Sequence, residues 1–388
     1  MGELYGCFST KPSGMSICKH IVPLMFLAIM LSGNIRKENA MNDQRHAVLN
    51  DGPYLIYDGT LLHVKYIAAE KDAKVLRHDS MSIDRKAGLP LRVNTDIPGM
   101  TFEVRIKDKI VNEKSEYKKA SRQLIMSDIE GNFAAFRKLL QSAGVVDERL
   151  EWTFGDGHLV LAGDFFDRGN QVTETLWLIY ALEEKARKSG GHVHFILGNH
   201  DIMNMSADLR YLNPKYLENA RLMHVDYTSL YGSDSELGRW LRSKNIIEKI
   251  GGNLYVHGGI SRQMNFVGWD IPEINEKARP FYPDTTYRYP NIQTEVLFSD
   301  YGPFWFRGCY MPSPDFNRQV LDSTLQQFRI QRVITGHTPI ADIVSAFYDG
   351  KLINVDTPHA KGKSEALLLE GGGMFIIRPD GYRAAFVF

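Results

Sequence analysis

Residues 158–169 read HLVLAGDFFDRG, and this stretch decides the fold. Its apolar run ends at Gly163-Asp164, and a second acidic residue, Asp167, follows three positions later. A short apolar run that stops at a polar, glycine-containing cluster is typical of a buried strand in a layered sheet. We therefore predict a strand that delivers polar side chains at its carboxyl end.

Four further stretches repeat this pattern along the chain. They are QLIMSD at 123–128, VHFILGNHD at 193–201, NLYVHGG at 253–259 and RVITGHT at 332–338. Apolar residues recur at helical spacing between the first strands, and alternating strands and helices predict an α/β domain. Ligands in such domains collect beyond the carboxyl ends of the strands. Two Asp-Gly hairpin signals, at 349–350 and 380–381, predict a second and largely antiparallel sheet.

Residues 41–121 have a different character. The stretch GPYLIYDGTLLHVKYIAAE at 52–70 alternates apolar and polar residues around Asp58-Gly59, which predicts a hairpin. The charged stretch 106–120 has no sustained apolar face. We therefore predict a β-rich module and linker over 41–121 and one main domain over 122–388.

The start of the chain has the sequence pattern of an export signal. The apolar run IVPLMFLAIML at 21–31 follows Lys19 and precedes a polar segment that ends near Ala40, an order typical of secretory signals. The run is shorter than the about 20 apolar residues that a membrane span needs. We expect residues 1–40 to be a signal peptide and the protein to be exported, periplasmic or extracellular, without a stable membrane anchor. A buried N-terminal helix is the alternative.

Composition excludes some partners. The 46 basic and 46 acidic residues cancel to a formal net charge of zero, whereas nucleic-acid binding needs a surplus of Lys and Arg on one surface. We therefore expect no nucleic-acid partner. Three cysteines, two of them within residues 1–40, cannot form a disulfide framework.

The five strand ends carry Asp, Glu, Asn and His side chains and no cysteine. Each alone has an ordinary structural explanation, because Asp often caps a following helix and Gly-Asp pairs often form turns. All five in order, each after an apolar run, instead predict one set of oxygen and nitrogen ligands. Such a set suits Mn²⁺, Fe or Zn²⁺, and two ions bridged by one carboxylate can activate water while neutralising a phosphate.

The motifs GDFFDRG, GNHD, HGG and GHT resemble those of the calcineurin-like metallophosphoesterases, and the first two resemble the phosphoprotein-phosphatase branch. Within it, DIMNMSADLRY at 201–211, together with ELGRWLRS, GPFWFRG and VITGHTP, is similar to the bacterial Shewanella-like protein phosphatases. The resemblance covers roughly residues 122–360. It implies a layered αββα metallophosphoesterase sandwich, here preceded by the β-rich module. It also implies two divalent metal ions, with Mn²⁺ expected first and Fe, Zn²⁺ or Mg²⁺ as alternatives.

The resemblance further implies a role for each matching residue. A hydroxide that bridges the ions would attack phosphorus, with His200 as general acid oriented by Asp167. Arg168, Asn199 and Arg307 would bind the substrate. The implied metal ligands are Asp128, Glu130 and the bridging Asp164 for one ion, and Asn199, His257 and His337 for the other.

One residue departs from the family pattern, which has Asp-x-His where this chain has Asp128-x-Glu130. Glutamate can still bind a hard cation through oxygen, so Glu130 is retained as a ligand. An ionised Glu130 adds a third carboxylate opposite the two dications. This should weaken their Lewis acidity and favour harder ions such as Mn²⁺ or Mg²⁺.

Three functions stay open at this stage. The first is a phosphatase for phosphoproteins, on Ser/Thr or Tyr, and the second a small-molecule or nucleotide phosphomonoesterase. The third is a weakened or inactive metal-binding protein that recruits a partner through its N-terminal module. The presence of His200 with Asp167 argues against the third, because a binding scaffold has no need of a general acid with an orienting carboxylate.

Overall fold

The computed structural model describes residues 49–388 apart from residue 72, and residues 49–388 form one compact unit. The predicted signal peptide, residues 1–40, lies outside the described residues. Within them the strands are β1 (Asp51–Asp58), β2 (Leu61–Glu70), β3 (Ala73–Ser82), β4 (Pro90–Asn94), β5 (Thr101–Arg105), β6 (Glu116–Tyr117), β7 (Arg122–Met126), β8 (His158–Ala162), β9 (His192–Ile196), β10 (Ile247–Ile250), β11 (Asn253–Val256), β12 (Arg332–Thr335), β13 (Ser345–Phe347), β14 (Leu352–Asn354), β15 (Ala366–Glu370), β16 (Gly373–Ile377) and β17 (Arg383–Ala385).

The α-helices occupy the segments between these strands. They are α1 (Phe133–Ser142), α2 (Val172–Lys188), α3 (Asn199–Met205), α4 (Pro214–Leu222), α5 (Glu236–Arg242), α6 (Arg262–Val267), α7 (Ile271–Ala278), α8 (Ile292–Phe298) and α9 (Arg318–Gln327). Within residues 49–388, none of them is long and apolar enough to cross a membrane.

Two six-stranded sheets form the centre of the molecule. The first has the order β17-β16-β15-β7-β8-β9 and the second β13-β14-β12-β11-β10-β6. Strands β7, β8 and β9 run parallel, as do β11, β12 and β14. The predicted C-terminal hairpins exist, but they divide between the sheets, since β15 pairs antiparallel with β7. Both sheets are therefore mixed, which corrects the prediction of a largely antiparallel second sheet.

The sheets pack face to face. Ile125, Val160 and Ile196 of the first sheet share one buried cluster with Tyr255 and Ile334 of the second, and no helix residue belongs to this cluster. The residues next to these in each strand point to the opposite face of the sheet, because successive side chains of a strand alternate between its faces. These outward-facing residues pack with helix residues in the larger core cluster. The predicted layered α/β fold is confirmed.

The N-terminal strands pack on helices α2 and α5. Trp177 of α2 donates its indole N–H to the carbonyl oxygen of Pro53 at 2.8 Å. The hydroxyl groups of Tyr54 and Thr173 are hydrogen-bonded at 2.9 Å, and the hydroxyl of Tyr57 donates to Glu236. The segment is rich in strands and buries its apolar face against these helices. A domain boundary at residue 121 stays a prediction.

Candidate active site

Six strand ends meet at one edge of the facing sheets. Each is followed closely in the chain by one polar side chain of the site. The six are Asp128 after β7, Asp164 after β8, Asn199 after β9, His257 after β11, His337 after β12 and Asp356 after β14. Parallel strands place their carboxyl ends at the same edge, so side chains far apart in the chain converge here.

Tight turns direct these side chains. Asp128, Asp164 and His337 have φ angles of 53°, 61° and 68°, a left-handed conformation that is uncommon for residues with a Cβ and clusters at functional sites. Close approach requires glycine at position 198, where an added Cβ would lie 2.2 Å from Oδ1 of Asp164. The backbone is therefore arranged around the Asp164 carboxylate.

A buried carboxylate holds these turns together. Asp201 accepts hydrogen bonds from the backbone N–H groups of Asp164 at 3.0 Å, Phe165 at 3.0 Å and Gly198 at 2.8 Å. Burial and the charge of Asp164 raise the pKa of Asp201 to about 7. Its place in the GNHD motif is thus explained by loop structure, a role the sequence did not reveal.

Asp164 lies at the centre of the site. Its Oδ2 is 3.0 Å from Nε2 of His257, and its Oδ1 accepts a hydrogen bond from the backbone N–H of His200 at 2.9 Å. One ligand atom from each of Asp164, His257 and His337 lies within 4.8 Å of the others. Although burial alone would raise the pKa of Asp164, the imidazoles of His257 and His200 lower it. These three predicted ligands are brought together as expected.

Asn199 joins the same group. Its Oδ1 is 3.1 Å from Nε2 of His257, whose Nδ1 lies 2.7 Å from the carbonyl oxygen of Ala162. Donation from Nδ1 to that carbonyl aims Nε2 of His257 at the carboxylate and the amide. Burial opposes the protonated ring, but Asp164 and Asp128 raise the pKa of His257 to about 10.

Asp356 is a site residue that the sequence analysis missed. It is buried, and burial followed by the charges of Asp128 and Asp164 raises its pKa to about 8. Asp128 lies beside it, accepts a hydrogen bond from the backbone N–H of His337 at 3.0 Å and also has a raised pKa because of burial. Asp356 follows strand β14 as the predicted ligands follow their strands, so the same rule could have found it.

Glu130 has a partner other than the predicted ion. Its carboxylate forms an ion pair with Arg168, whose side chain is about half exposed. One oxygen of Glu130 still lies within 4.8 Å of ligand atoms of Asp164 and His200. The structure therefore places Glu130 at the site, between the carboxylate group and the predicted phosphate-binding arginine.

His200 is held by a buried chain of hydrogen bonds. Its Nδ1 donates to Asp167 at 2.7 Å, and its Nε2 lies 3.3 Å from Nη2 of Arg168. Asp167 accepts a second hydrogen bond from Asn204 at 2.8 Å, and Asn204 accepts one from the hydroxyl of Tyr227 at 2.6 Å. Asn204 and Tyr227 have no motif in the sequence, and the fold alone brings them together.

Arg307 and Trp305 border the site. Arg307 donates to the carbonyl oxygen of His337 at 2.6 Å. Nε2 of His337 lies 3.0 Å from the carbonyl oxygen of Trp305, and the two rings meet edge to face at a centroid distance of 6.1 Å. A pocket of about 350 Å³ lies beside Arg307 and Trp305 and is also lined by Tyr301 and Met311. This pocket therefore lies beside Arg307, one of the predicted substrate-binding residues.

The donor set fits divalent cations. Buried carboxylates in proteins are paired or coordinate metals, and here the mutual repulsion of Asp128, Asp164 and Asp356 adds to burial in raising the pKa of Asp128 and Asp356. A cation among them would relieve this repulsion. Carboxylate, amide and imidazole donors suit Mn²⁺, Fe or Zn²⁺, and cation binding would release the proton from His257.

The fold and the site define a metal-dependent phosphoesterase. A family model described as calcineurin-like phosphoesterase matches residues 121–341, more than half of the chain, and the chain belongs to this family. The family has a dinuclear divalent metal centre. The chain is accordingly a phosphatase, a phosphoric monoester hydrolase that acts on phosphorylated substrates.

Several known phosphatases are similar to this chain. The solved structure of the cold-active protein-tyrosine phosphatase of a psychrophilic Shewanella species is 32% identical, with a TM-score of 0.78 over 87% of this chain and 99% of that chain. Shewanella-like protein phosphatase 2 of Arabidopsis thaliana is 32% identical over 27% of each chain. Shewanella-like protein phosphatase 1 of Plasmodium berghei is 22% identical over 60% of this chain and 66% of its own. The chain thus spans at most about two thirds of these two curated relatives.

Proposed function

We propose that the chain dephosphorylates proteins with the help of two divalent metal ions and His200 as general acid. The observation that carries this proposal is the position of the buried pair His200 and Asp167 beside the donor set. Nε2 of His200 lies 3.9 Å from Oδ2 of Asp164. Reacting atoms held by the ions would therefore lie within reach of a proton donor.

Two ions would share Asp164. The proposed ligands are Asp128, Glu130 and Asp164 for one ion, and Asp164, Asn199, His257 and His337 for the other. When bound, the ions would make water nucleophilic at neutral pH and offset the charge of the phosphate. We expect Mn²⁺, because the carboxylate-rich set favours a hard ion, with Fe, Zn²⁺ and Mg²⁺ as alternatives.

His200 would protonate the leaving oxygen. Donation from Nδ1 to Asp167 fixes the ring orientation and directs Nε2 toward the substrate. Burial lowers the pKa of His200, but Asp164 and Asp167 outweigh burial, so the net shift is upward. This upward shift favours the imidazolium, the form that a general acid requires.

Two arginines would hold the phosphate. Arg168 and Arg307 come from different loops, and guanidinium groups bind phosphate oxygens in pairs of hydrogen bonds. The amide of Asn199 would add a further contact. These groups would also stabilise the charge that develops on the phosphoryl oxygens during transfer.

Hydrolysis of an aryl phosphate by the purified protein in Mn²⁺ tests the mechanism. We expect Asp164→Asn and EDTA each to reduce the rate by more than about 100-fold, because the ions supply several kcal/mol of stabilisation. Asp349→Asn is a matched control, since this exposed aspartate also has a positive φ and lies in the β13–β14 turn. Activity that survives both treatments would contradict the two-metal mechanism.

The names of the relatives support our proposal of a protein substrate. The Shewanella enzyme is named a protein-tyrosine phosphatase, and the curated relatives are named protein phosphatases. We infer a phosphoprotein substrate, with small-molecule or nucleotide phosphomonoesters as the alternative. Measured kcat/KM values should favour phosphopeptides over sugar and nucleotide phosphates by at least about tenfold. The reverse order would support the alternative.

We also propose that the protein is exported, on the strength of the apolar run at 21–31. Expression of the full chain in a secretion-competent host should yield an exported product whose N-terminus begins near residue 41. A product that stays in the cytoplasm and retains residues 1–40 would count against export.

A further inference from the structure

Tyr211 is an exposed aromatic residue beside the proposed general acid. It lies between helices α3 and α4, and it is 45% exposed. Its ring centroid is 5.1 Å from that of His200. Its carbonyl oxygen accepts a hydrogen bond from the backbone N–H of Arg168 at 3.0 Å. The ring is therefore tied by its own backbone to the loop that carries Asp167 and Arg168.

The position of His200 determines what Tyr211 would contact. Nδ1 of His200 is engaged by Asp167, so the leaving oxygen must approach Nε2. Oδ2 of the buried Asp164, the central proposed metal ligand, lies 3.9 Å from that nitrogen. The part of the substrate beyond the leaving oxygen must extend away from this buried group, and the exposed ring of Tyr211 is in contact with His200.

Two guanidinium groups lie close to the ring of Tyr211. The central carbon of Arg168 is 5.6 Å and that of Arg210 is 5.7 Å from the ring centroid. Arg210 is fixed by a paired contact with Asp208, in which Nε–Oδ1 is 2.8 Å and Nη2–Oδ2 is 2.7 Å. The ring is thus held beside His200 while much of it stays accessible.

We propose that Tyr211 is a specificity-determining residue that packs against an aromatic leaving group, so that the enzyme prefers phosphotyrosine over phosphoserine or phosphothreonine. This inference rests on the proposed function, because it requires His200 to face the leaving oxygen. Aromatic rings attract one another beyond the area that they bury. The short aliphatic side chains of serine and threonine cannot make this contact.

The test compares two peptides of identical sequence, one with phosphotyrosine and one with phosphothreonine, on the full-length enzyme in Mn²⁺. Tyr211→Ala should lower the ratio of their kcat/KM values by about 3- to 10-fold, the discrimination that one aromatic pair provides. Tyr211→Phe keeps the ring and should keep the ratio. The contact of Arg168 with the backbone of residue 211 persists in both variants.

Tyr382→Ala is the matched control. Tyr382 is also 45% exposed and carries the guanidinium of Arg378 at 4.5 Å from its ring, but it lies in the β16–β17 turn. Its loss should leave the ratio unchanged. Melting temperatures of all variants are measured to confirm intact folding.

Each outcome decides between the two proposals. A wild-type enzyme that hydrolyses neither peptide overturns both the protein substrate and the role of Tyr211. A wild-type enzyme that is active on the peptides, with both substrates losing rate equally or neither losing it in Tyr211→Ala, overturns the role of Tyr211 alone.

Discussion

Glu130 has two possible partners, and its two carboxylate oxygens allow it to contact both. Its carboxylate pairs with Arg168, and it is also within reach of the ligand group at Asp164. One carboxylate oxygen can bind a cation while the other keeps the ion pair with the arginine, which holds the guanidinium back from the phosphate. On the proposed mechanism, the residue that departs from the family motif would therefore link metal binding to the availability of a phosphate-binding group.

We expect Glu130→Gln to separate these two effects. The Mn²⁺ concentration for half-maximal activity should rise, because a carboxylate ligand is lost. At saturating Mn²⁺, inhibition by inorganic phosphate should strengthen by about two- to fivefold, the value of a partly exposed ion pair, because Arg168 is free. Titrations of Mn²⁺ and of phosphate measure both.

Glu103→Gln is the control for Glu130, since Glu103 forms an exposed ion pair with Arg105 at 2.9 Å on the N-terminal strands. It should change neither titration. If Glu130→Gln instead leaves the Mn²⁺ requirement unchanged, Glu130 is not a metal ligand.

Asp356 offers a second prediction at this scale. Its raised pKa means that ionisation is unfavourable in the metal-free fold, so its contribution to stability falls as the pH rises from the usual range of an aspartate through about 8. Asp356→Asn should therefore make the metal-free protein more stable than wild type, by a margin that widens between pH 5 and 9. Thermal unfolding in EDTA measures this. A margin that narrows with pH would contradict it.

Site residues that directly follow a recognisable strand were predictable from the sequence. Asp164, His257 and His337 each follow an apolar run and a glycine-containing motif, so their convergence follows from parallel strand ends. Asp356 follows a run of only a few apolar residues beside a hairpin signal, and it went unnoticed. Tyr227 reaches Asp167 through Asn204 only because a loop folds back over α3, and no local pattern encodes such a contact.

Strands β8 and β9 carry a histidine cluster at the ends opposite the active site. Nδ1 of His158 lies 2.8 Å from Nε2 of His194, whose Nδ1 lies 2.6 Å from Glu248. The rings of His192 and His194 are 4.4 Å apart. Burial followed by mutual repulsion lowers the pKa of His158 and of His192 to about 4. The fold therefore requires these rings to be neutral.

This element should make the protein sensitive to acid. A histidine whose pKa is lower in the folded state stabilises the fold fully above its unfolded pKa of about 6.5, and its contribution is lost as the pH falls toward 4. His192→Gln should therefore reduce the loss of unfolding free energy between pH 7.5 and pH 5 by about 1–2 kcal/mol. Denaturant titrations at both pH values measure this, with exposed His78→Gln as control. An equal loss in wild type and His192→Gln would contradict it.

Helices and strands in which apolar residues recur at regular spacing were predictable from the sequence. The order in which the strands pair within the sheets was not. The helices α1 and α2 between the first strands and all three Asp-Gly hairpins form as the sequence indicates. The position of β15 between β16 and β7 could not be read from the chain. Pairing between strands separated by more than two hundred residues depends on the whole sandwich, which local alternation does not specify.

At the scale of the whole molecule, the N-terminal strands belong to the same structure as the active site. Strand β1 is bound to α2 through Tyr54 and Pro53, and Asp51 accepts a hydrogen bond from Asn219 of α4 at 2.8 Å. The loop that carries Tyr211 leads directly into α4. A partner-recruiting module that moves independently would not share buried side chains with the helices next to the catalytic loops.

We therefore expect the described region to unfold as one unit. Tyr54→Ala removes a fully buried ring and should lower the free energy of unfolding by about 3–5 kcal/mol. Because the strands and the catalytic helices share one core, loss of phosphatase activity and loss of tryptophan fluorescence should shift to lower temperature together. Lys71→Ala, in the exposed β2–β3 turn, should shift neither. Activity that outlasts the structural transition in Tyr54→Ala would mean that the N-terminal strands fold independently of the site.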